Sequence, residues 1–237
     1  MTSTIITKDT ITRLVSDIRE ITLNPLTDNG IYYKHDEANM LVGYALIVPK
    51  DDTPYQYGNY LFKLDFPTNY PHSPPKVKFF TNNGKTRMHP NFYRNGKVCL
   101  SILNTWKGDQ WTGCNTISSV LNTISTRFTK NPLLNEPGFN MNKDKEQVDN
   151  YTDCIEYHNI KTGIISILNH DNEHYYNKLD DIFRKEIIAE FLRNYEAIQK
   201  NAASKKSIKN VAVRIYRMCE SGSFTDLSKN LTETYTR

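Results

Sequence analysis

The sequence predicts an α+β fold, with an N-terminal helix, a four-stranded antiparallel meander and further helices toward the C-terminus. Three observations predict it. Apolar residues recur at helical spacing near the start and again from Ile117 onward. Between these helices, β-rich runs are separated by turn residues, with no helical segment to carry the chain across to a parallel neighbour. From there to Asn115 no periodicity is visible, and so long an irregular stretch in a compact domain is usually functional.

The elements follow in order. Ile11, Leu14, Val15, Ile18 and Ile21 share one helical face, and Pro25 closes the segment. Ile31-Tyr32-Tyr33 and then Met40 to Val48 read as strands. Asp51 to Asn59 supplies the Asp, Pro, Gly and Asn of a long turn. Tyr60, Phe62, Leu64 and Phe66 alternate with Leu61, Lys63 and Asp65, the pattern of a half-buried strand. Lys76 to Phe80 makes a short fourth strand after the proline-rich Pro67 to Pro75. Ile117, Val120, Leu121, Ile124 and Phe128 mark a helix ending near Asn131-Pro132. Two more helices are expected, at about 151–168 and about 178–200. Serine and lysines at 204–206 form a junction, and Ile208, Val211, Ile215 and Met218 then predict a last amphipathic helix.

Composition narrows the class. At 237 residues the chain suits one domain with an appendage or two small domains, and 38% hydrophobic content excludes wholesale disorder. A balance of 30 basic to 26 acidic residues does not by itself indicate nucleic acid. Cys99, Cys114, Cys154 and Cys219 are scattered, with no zinc-like spacing. The segment Met1 to Arg13 is polar, and the longest apolar run, Met40 to Pro49, is too short to span a membrane. A soluble protein with free thiols in a reducing compartment, cytoplasmic or nuclear, is expected.

The long loop holds the candidates for chemistry. Cys99 lies eight positions after Asn91 and ten after His89. His89-Pro90-Asn91 followed by Cys99-Leu100 resembles the active site of ubiquitin-conjugating enzymes. Pro67, Tyr70, Pro71, Pro74 and Pro75 match that family's PxxYPxxPP segment, and Thr53-Pro54-Tyr55 with Gly58 is similar to its TPYxGG turn. Trp106 and Trp111 flank a loop downstream, and Asn131-Pro132 leads to Asn135-Glu136-Pro137-Gly138-Phe139. The resemblance spans roughly residues 10 to 160 and is strongest to the Z type of the family.

That resemblance implies a ubiquitin-conjugating catalytic core over residues 1–160, with a helical extension over 161–237 packed on or appended to it. It implies a transferase that receives ubiquitin, or a ubiquitin-like protein, as a Cys99 thioester and passes it to a lysine or a ligase. Asn91 would stabilise the negative charge on the thioester carbonyl, or else structure the loop. Glu136 stands where the family has an acidic gate beside the cysteine, and His89 and Pro90 would be structural. Arg13 and its neighbours on the N-terminal helix would contact the activating enzyme, while His72, Pro74 and Trp111 would face partners such as a ligase. No metal or organic cofactor is implied; ATP is used by the upstream activating enzyme, of either the usual or the alternative type. Neither a membrane nor nucleic acid is expected as a partner.

Some positions depart from the family pattern. Trp111-Thr112-Gly113-Cys114 replaces the usual WSPA, His72 stands where an aromatic is common, and Gln56, Tyr57 and Asn59 alter the Glu-Gly-Gly turn. Rival readings are a catalytically silent relative, which would lack Cys99, and a thiol hydrolase, which would need a Cys–His pair. His170-Asp171-Asn172-Glu173-His174 spells the inverted zinc-peptidase motif, but its residues are poor helix formers and it reads as coincidence. Lys200, Lys205, Lys206, Lys209, Arg214 and Arg217 read as a solvated helix face.

Overall fold

The computed structural model describes residues 6–170 and 179–236. Helix α1 spans Lys8–Leu23, and the Thr7 hydroxyl caps it by accepting the Thr10 amide N–H. The Thr10 hydroxyl donates to the Thr68 and Tyr70 carbonyls, tying the helix to the proline-rich loop. Strands β1 (Ile31–His35), β2 (Val42–Ile47), β3 (Tyr60–Asp65) and β4 (Lys76–Phe79) form one sheet in that order. Each pairs antiparallel with the next, as the sequence predicts.

One face of the sheet meets the N-terminal helix. Ala45, Ile47, Phe62, Leu64 and Phe79 belong to a core with Leu14 and Ile21 of α1. Val120, Leu121 and Ile124 of α2 (Ile117–Ser125) complete it, and a Thr116/Ser119 capping box starts that helix.

The other face is also buried, which corrects the half-buried reading of β3. Leu61, expected toward solvent, is 3% exposed. With Leu46, Val48 and Phe80 it packs into a second core built from residues after 156, including Ile160, Phe183, Ile187 and Phe191. A strand buried on both faces loses the alternation that marks a solvent side, and the unbroken apolar run at 45–48 is the trace of it.

Helix α3 (Met141–His158) starts earlier than its expected bound and continues into a wider π-type turn, Asn159–Ser166. Then come α4 (Leu179–Ile182) and α5 (Arg184–Ser204). Tyr32 donates to Glu190 Oε1 at 2.6 Å and Lys34 pairs with Glu186 at 2.7 Å, fastening α5 to β1. Among the described residues no helix is long and apolar enough to cross a membrane.

The amphipathic helix expected over 208–218 is a β-hairpin instead. Strands β5 (Ile208–Val213) and β6 (Met218–Gly222) pair antiparallel, joined by a tight turn at Arg214–Tyr216, with Arg217 at φ 51°. Val213 and Met218 enter the first core and Ile208 the second, whereas Ile215 is 43% exposed. The hairpin binds α3: Asn150 and Gln147 donate to the Ala212 carbonyl, and the Arg214 amide donates to Gln147. These tertiary bonds override the helical spacing of its apolar residues. A final helix, α6 (Phe224–Tyr235), packs Phe224, Leu227 and Leu231 into the second core.

Candidate active site

The loop between β4 and α2 is fixed from beneath by aromatic packing. Phe92 packs against Phe62, Phe79 and Phe128, and Tyr55 stands edge-on to Phe128 while donating to the Met88 carbonyl at 3.0 Å. On this base sit His89, Pro90, Asn91 and Cys99.

Asn91 and Cys99 hold each other reciprocally. The Cys99 amide donates to the Asn91 carbonyl at 2.9 Å, and Asn91 Nδ2 donates to the Cys99 carbonyl at 2.9 Å. Both residues are buried, Cys99 at 3% exposure. A carboxamide donor is therefore fixed on the backbone of the candidate nucleophile.

His89 lies beneath them with both ring nitrogens in use. Nδ1 accepts the Asn91 amide N–H at 3.0 Å, so Nε2 carries the proton and donates to the Arg127 carbonyl at 2.8 Å. Burial pushes its pKa down to about 3, so the ring is neutral near pH 7. With no free lone pair it does not form the base of a Cys–His pair.

This geometry has a pH signature. In the unfolded chain His89 titrates near 6.5, while in the folded chain it resists protonation down to about 3. A depressed folded pKa gives stability that is present above pH 6.5 and lost as pH falls toward 3. Going from pH 7 to 5 is expected to remove about 2 kcal/mol through this group. Urea midpoints at the two pH values measure it, and the drop should shrink in His89→Asn. An equal drop in that variant would assign the dependence to other groups.

The partner-facing residues form a second cluster. Trp111 is buried, and its Nε1 donates to the Pro71 carbonyl at 2.7 Å, joining the two loops read as partner contacts. The Arg13 guanidinium donates to the carbonyls of Gly113 and Asn115 and pairs with Asp17 at 2.8 Å. Arg13 thus braces the second loop from within the chain. His72 is exposed and Pro74 partly so.

Glu136 follows the short turn Pro132–Asn135, and its Oε2 accepts the Tyr216 hydroxyl at 2.6 Å. Tyr216, Arg87 and Arg94 escape a reading of the sequence. Arg94 donates to the Tyr216 carbonyl at 2.6 Å, and Arg87 stacks on the rings of Tyr93 and Tyr216. The β-branched pair Val211 and Val213 is the signal that a strand, and hence this turn, lies here.

The other cysteines are unlike Cys99 in setting. Cys154 is buried in the first core, its thiol pushed up to about 12 by burial, and Cys114 and Cys219 are exposed. Of the zinc-like motif, Asp171 to His174 lie outside the described residues, and His170 Nδ1 stands 2.5 Å from the buried Asp180. Lys206, Lys209, Arg214 and Arg217 are exposed, and Lys205 pairs with Glu156 at 2.6 Å.

A meander flanked by helices thus carries Cys99 in its long loop, above a histidine whose two ring nitrogens are both engaged. The chain belongs to the ubiquitin-conjugating enzyme family, whose sequence profile matches residues 13–156. Ubiquitin-conjugating enzyme E2 Z of Homo sapiens is 41% identical over 157 residues, covering 66% of this chain and 44% of that protein. Its Xenopus tropicalis counterpart is also 41% identical, with 50% of that protein covered. Probable ubiquitin-conjugating enzyme protein 17 of Caenorhabditis elegans is 36% identical over 206 residues, covering 83% of this chain and 27% of that protein. The chain thus spans half or less of the length of these relatives.

Proposed function

We propose that the chain accepts ubiquitin, or a ubiquitin-like protein, from an activating enzyme as a thioester on Cys99 and passes it to a substrate lysine or a ligase. The observation that carries this is the reciprocal Asn91–Cys99 pairing inside the segment that matches the family.

The chemistry balances without a cofactor. The Cys99 thiolate attacks the thioester carbonyl carbon on the activating enzyme; a new C–S bond forms, the old one breaks, and the activating enzyme's cysteine leaves as thiolate. A lysine amine then attacks the Cys99 thioester. A C–N bond forms, the C–S bond breaks, Cys99 leaves as thiolate and the amine's proton passes to water. Negative charge gathers on the carbonyl oxygen during each attack, and the Asn91 carboxamide is the donor beside Cys99. Glu136 orients the incoming amine. ATP is consumed upstream.

His72 and Pro74 are read as the ligase-facing patch; Trp111, expected to face a partner as well, is buried and instead braces the loop that carries them. Helix α1, stiffened by Arg13, is read as the face for the activating enzyme. Free thiols support a reducing compartment, cytoplasmic or nuclear.

The test is to incubate the full chain with ubiquitin, ATP and activating enzymes of both types, then run gels with and without reductant. A reductant-sensitive adduct that disappears in Cys99→Ala is expected. The reading fails if neither activating enzyme loads Cys99.

A further inference from the structure

The C-terminal hairpin meets the elements of the candidate site at its turn. Tyr216, at the turn between β5 and β6, donates its hydroxyl to Glu136 Oε2 at 2.6 Å. Its backbone carbonyl accepts from Arg94 Nη2 at 2.6 Å, five positions before Cys99. Its ring packs on Tyr151, with centroids 5.3 Å apart, and under the Arg87 guanidinium, also at 5.3 Å. Arg87 in turn donates to the His89 carbonyl at 3.0 Å and the Pro90 carbonyl at 2.6 Å. The phenol and the carbonyl of one residue therefore hold the Glu136 side chain and the segment leading to Cys99, and its ring reaches the His89-Pro90 segment through Arg87.

The turn that carries Tyr216 is held rigidly. Val213 and Met218, on either side of it, are buried in the first core. The Arg87 amide meets Met218 Sδ at 3.4 Å, and Tyr151 donates to the Arg87 carbonyl at 2.6 Å. Farther along β6, Glu220 pairs with buried His158 at 2.9 Å. A side chain whose own support is packed and hydrogen-bonded can fix a neighbouring carboxylate to a fraction of an ångström, which a surface turn alone does not.

We propose that Tyr216 is a positioning residue for the transfer step: its hydroxyl fixes the Glu136 carboxylate, while its carbonyl anchors the loop leading to Cys99. The hairpin thereby sets how a loaded Cys99 meets an incoming amine. This rests on the gate reading of Glu136 and on the thioester function above. A free carboxylate on the turn 136–139 would sample several rotamers; held by the phenol, it presents one. Misplacement of an orienting group by about 1 Å can cost up to ~100-fold in rate, and loss of one hydrogen bond should cost part of that.

The experiment loads the full chain with ubiquitin, stops activation by removing ATP, adds free lysine and follows discharge per loaded enzyme. Tyr216→Phe removes only the hydroxyl and keeps the ring and the backbone carbonyl. It is expected to lower the maximal discharge rate about threefold to tenfold, with half-saturating lysine changed by less than about twofold. Glu136→Gln, made from the other side of the bond, should lower the rate similarly, and the double variant should be no slower than the slower single one. A merely structural tyrosine would not show that coupling. Wild-type discharge in Tyr216→Phe, or effects of the two changes that multiply, would overturn the proposal while leaving the thioester reading intact. Failure of the wild-type chain to load Cys99 would overturn both, and the loading gel reads that first.

Discussion

Asn91→Ala is expected to slow discharge of a loaded Cys99 to lysine about 100-fold, a loss of about 3 kcal/mol of transition-state stabilisation. The carboxamide is held in place: Nδ2 donates one N–H to the backbone carbonyl of Cys99 at 2.9 Å, which leaves its second N–H for the thioester oxygen, and His89 fixes the backbone behind it. A donor that needs no reorganisation at the moment of attack stabilises developing charge most strongly. Its contribution to folding is expected to be small by comparison. Asn91 Oδ1 is buried with no hydrogen-bond partner among the described residues, so alanine removes one bond and one unsatisfied oxygen together. The net change in stability should lie within about 1 kcal/mol. Single-turnover discharge measured beside a urea midpoint separates the two roles. A variant that discharges within threefold of wild type, or one that loses rate only in proportion to stability, would reduce Asn91 to a loop brace.

Deleting everything after Asn169 is expected to prevent the core from folding in soluble form. The cut removes Phe183, Ile187, Phe191, Phe224 and Leu231 from the core shared with Leu46, Val48, Leu61 and Phe80, and those five are each at most 5% exposed in the intact chain. At about 1.5–3 kcal/mol per buried side chain, the loss approaches the whole stability of a domain, about 5–15 kcal/mol. It also removes Val213 and Met218 from the first core. A milder probe is Phe183→Ala in the full chain, which opens a cavity under the sheet and should cost about 3–5 kcal/mol. Soluble yield and urea midpoints check both. A truncated core that remains monomeric and melts like the full chain would show that the outer face of the sheet is not an integral core.

Local signals made much of this legible in the sequence. The four strands alternate or run apolar between clear turns, and α1 and α2 carry one-sided apolar faces with capping residues. Cys99, Asn91 and His89 lie within ten positions of one another, so their meeting depends on one loop. What stayed hidden depends on distant chain. Arg13 finds its carbonyls at Gly113 and Asn115, a hundred positions away, and nothing near Arg13 announces them. Leu61 reads as a solvent-side residue, yet it belongs to a core whose other members lie mostly after residue 156. Residues 208–218 hold apolar side chains at a spacing that suits a helix, and the decision for a hairpin is made by bonds to α3. Tyr216 reaches Glu136 only because of that decision.

The second core also orders events in time. Strands made early in synthesis share their outer core with helices made late: the cluster that holds Leu61 is completed only by Phe183 and Leu231. At about 5–20 residues per second, roughly 10 to 30 s separate synthesis of β3 from completion of α6. Through that interval the nascent sheet carries uncovered leucine, valine and phenylalanine, the kind of surface that chaperones hold and that neighbouring nascent chains capture. Contacts across so many residues also slow the final docking in a refolding experiment. The protein's yield in a cell is thereby tied to how its last seventy or so residues arrive, well before any question of catalysis is reached.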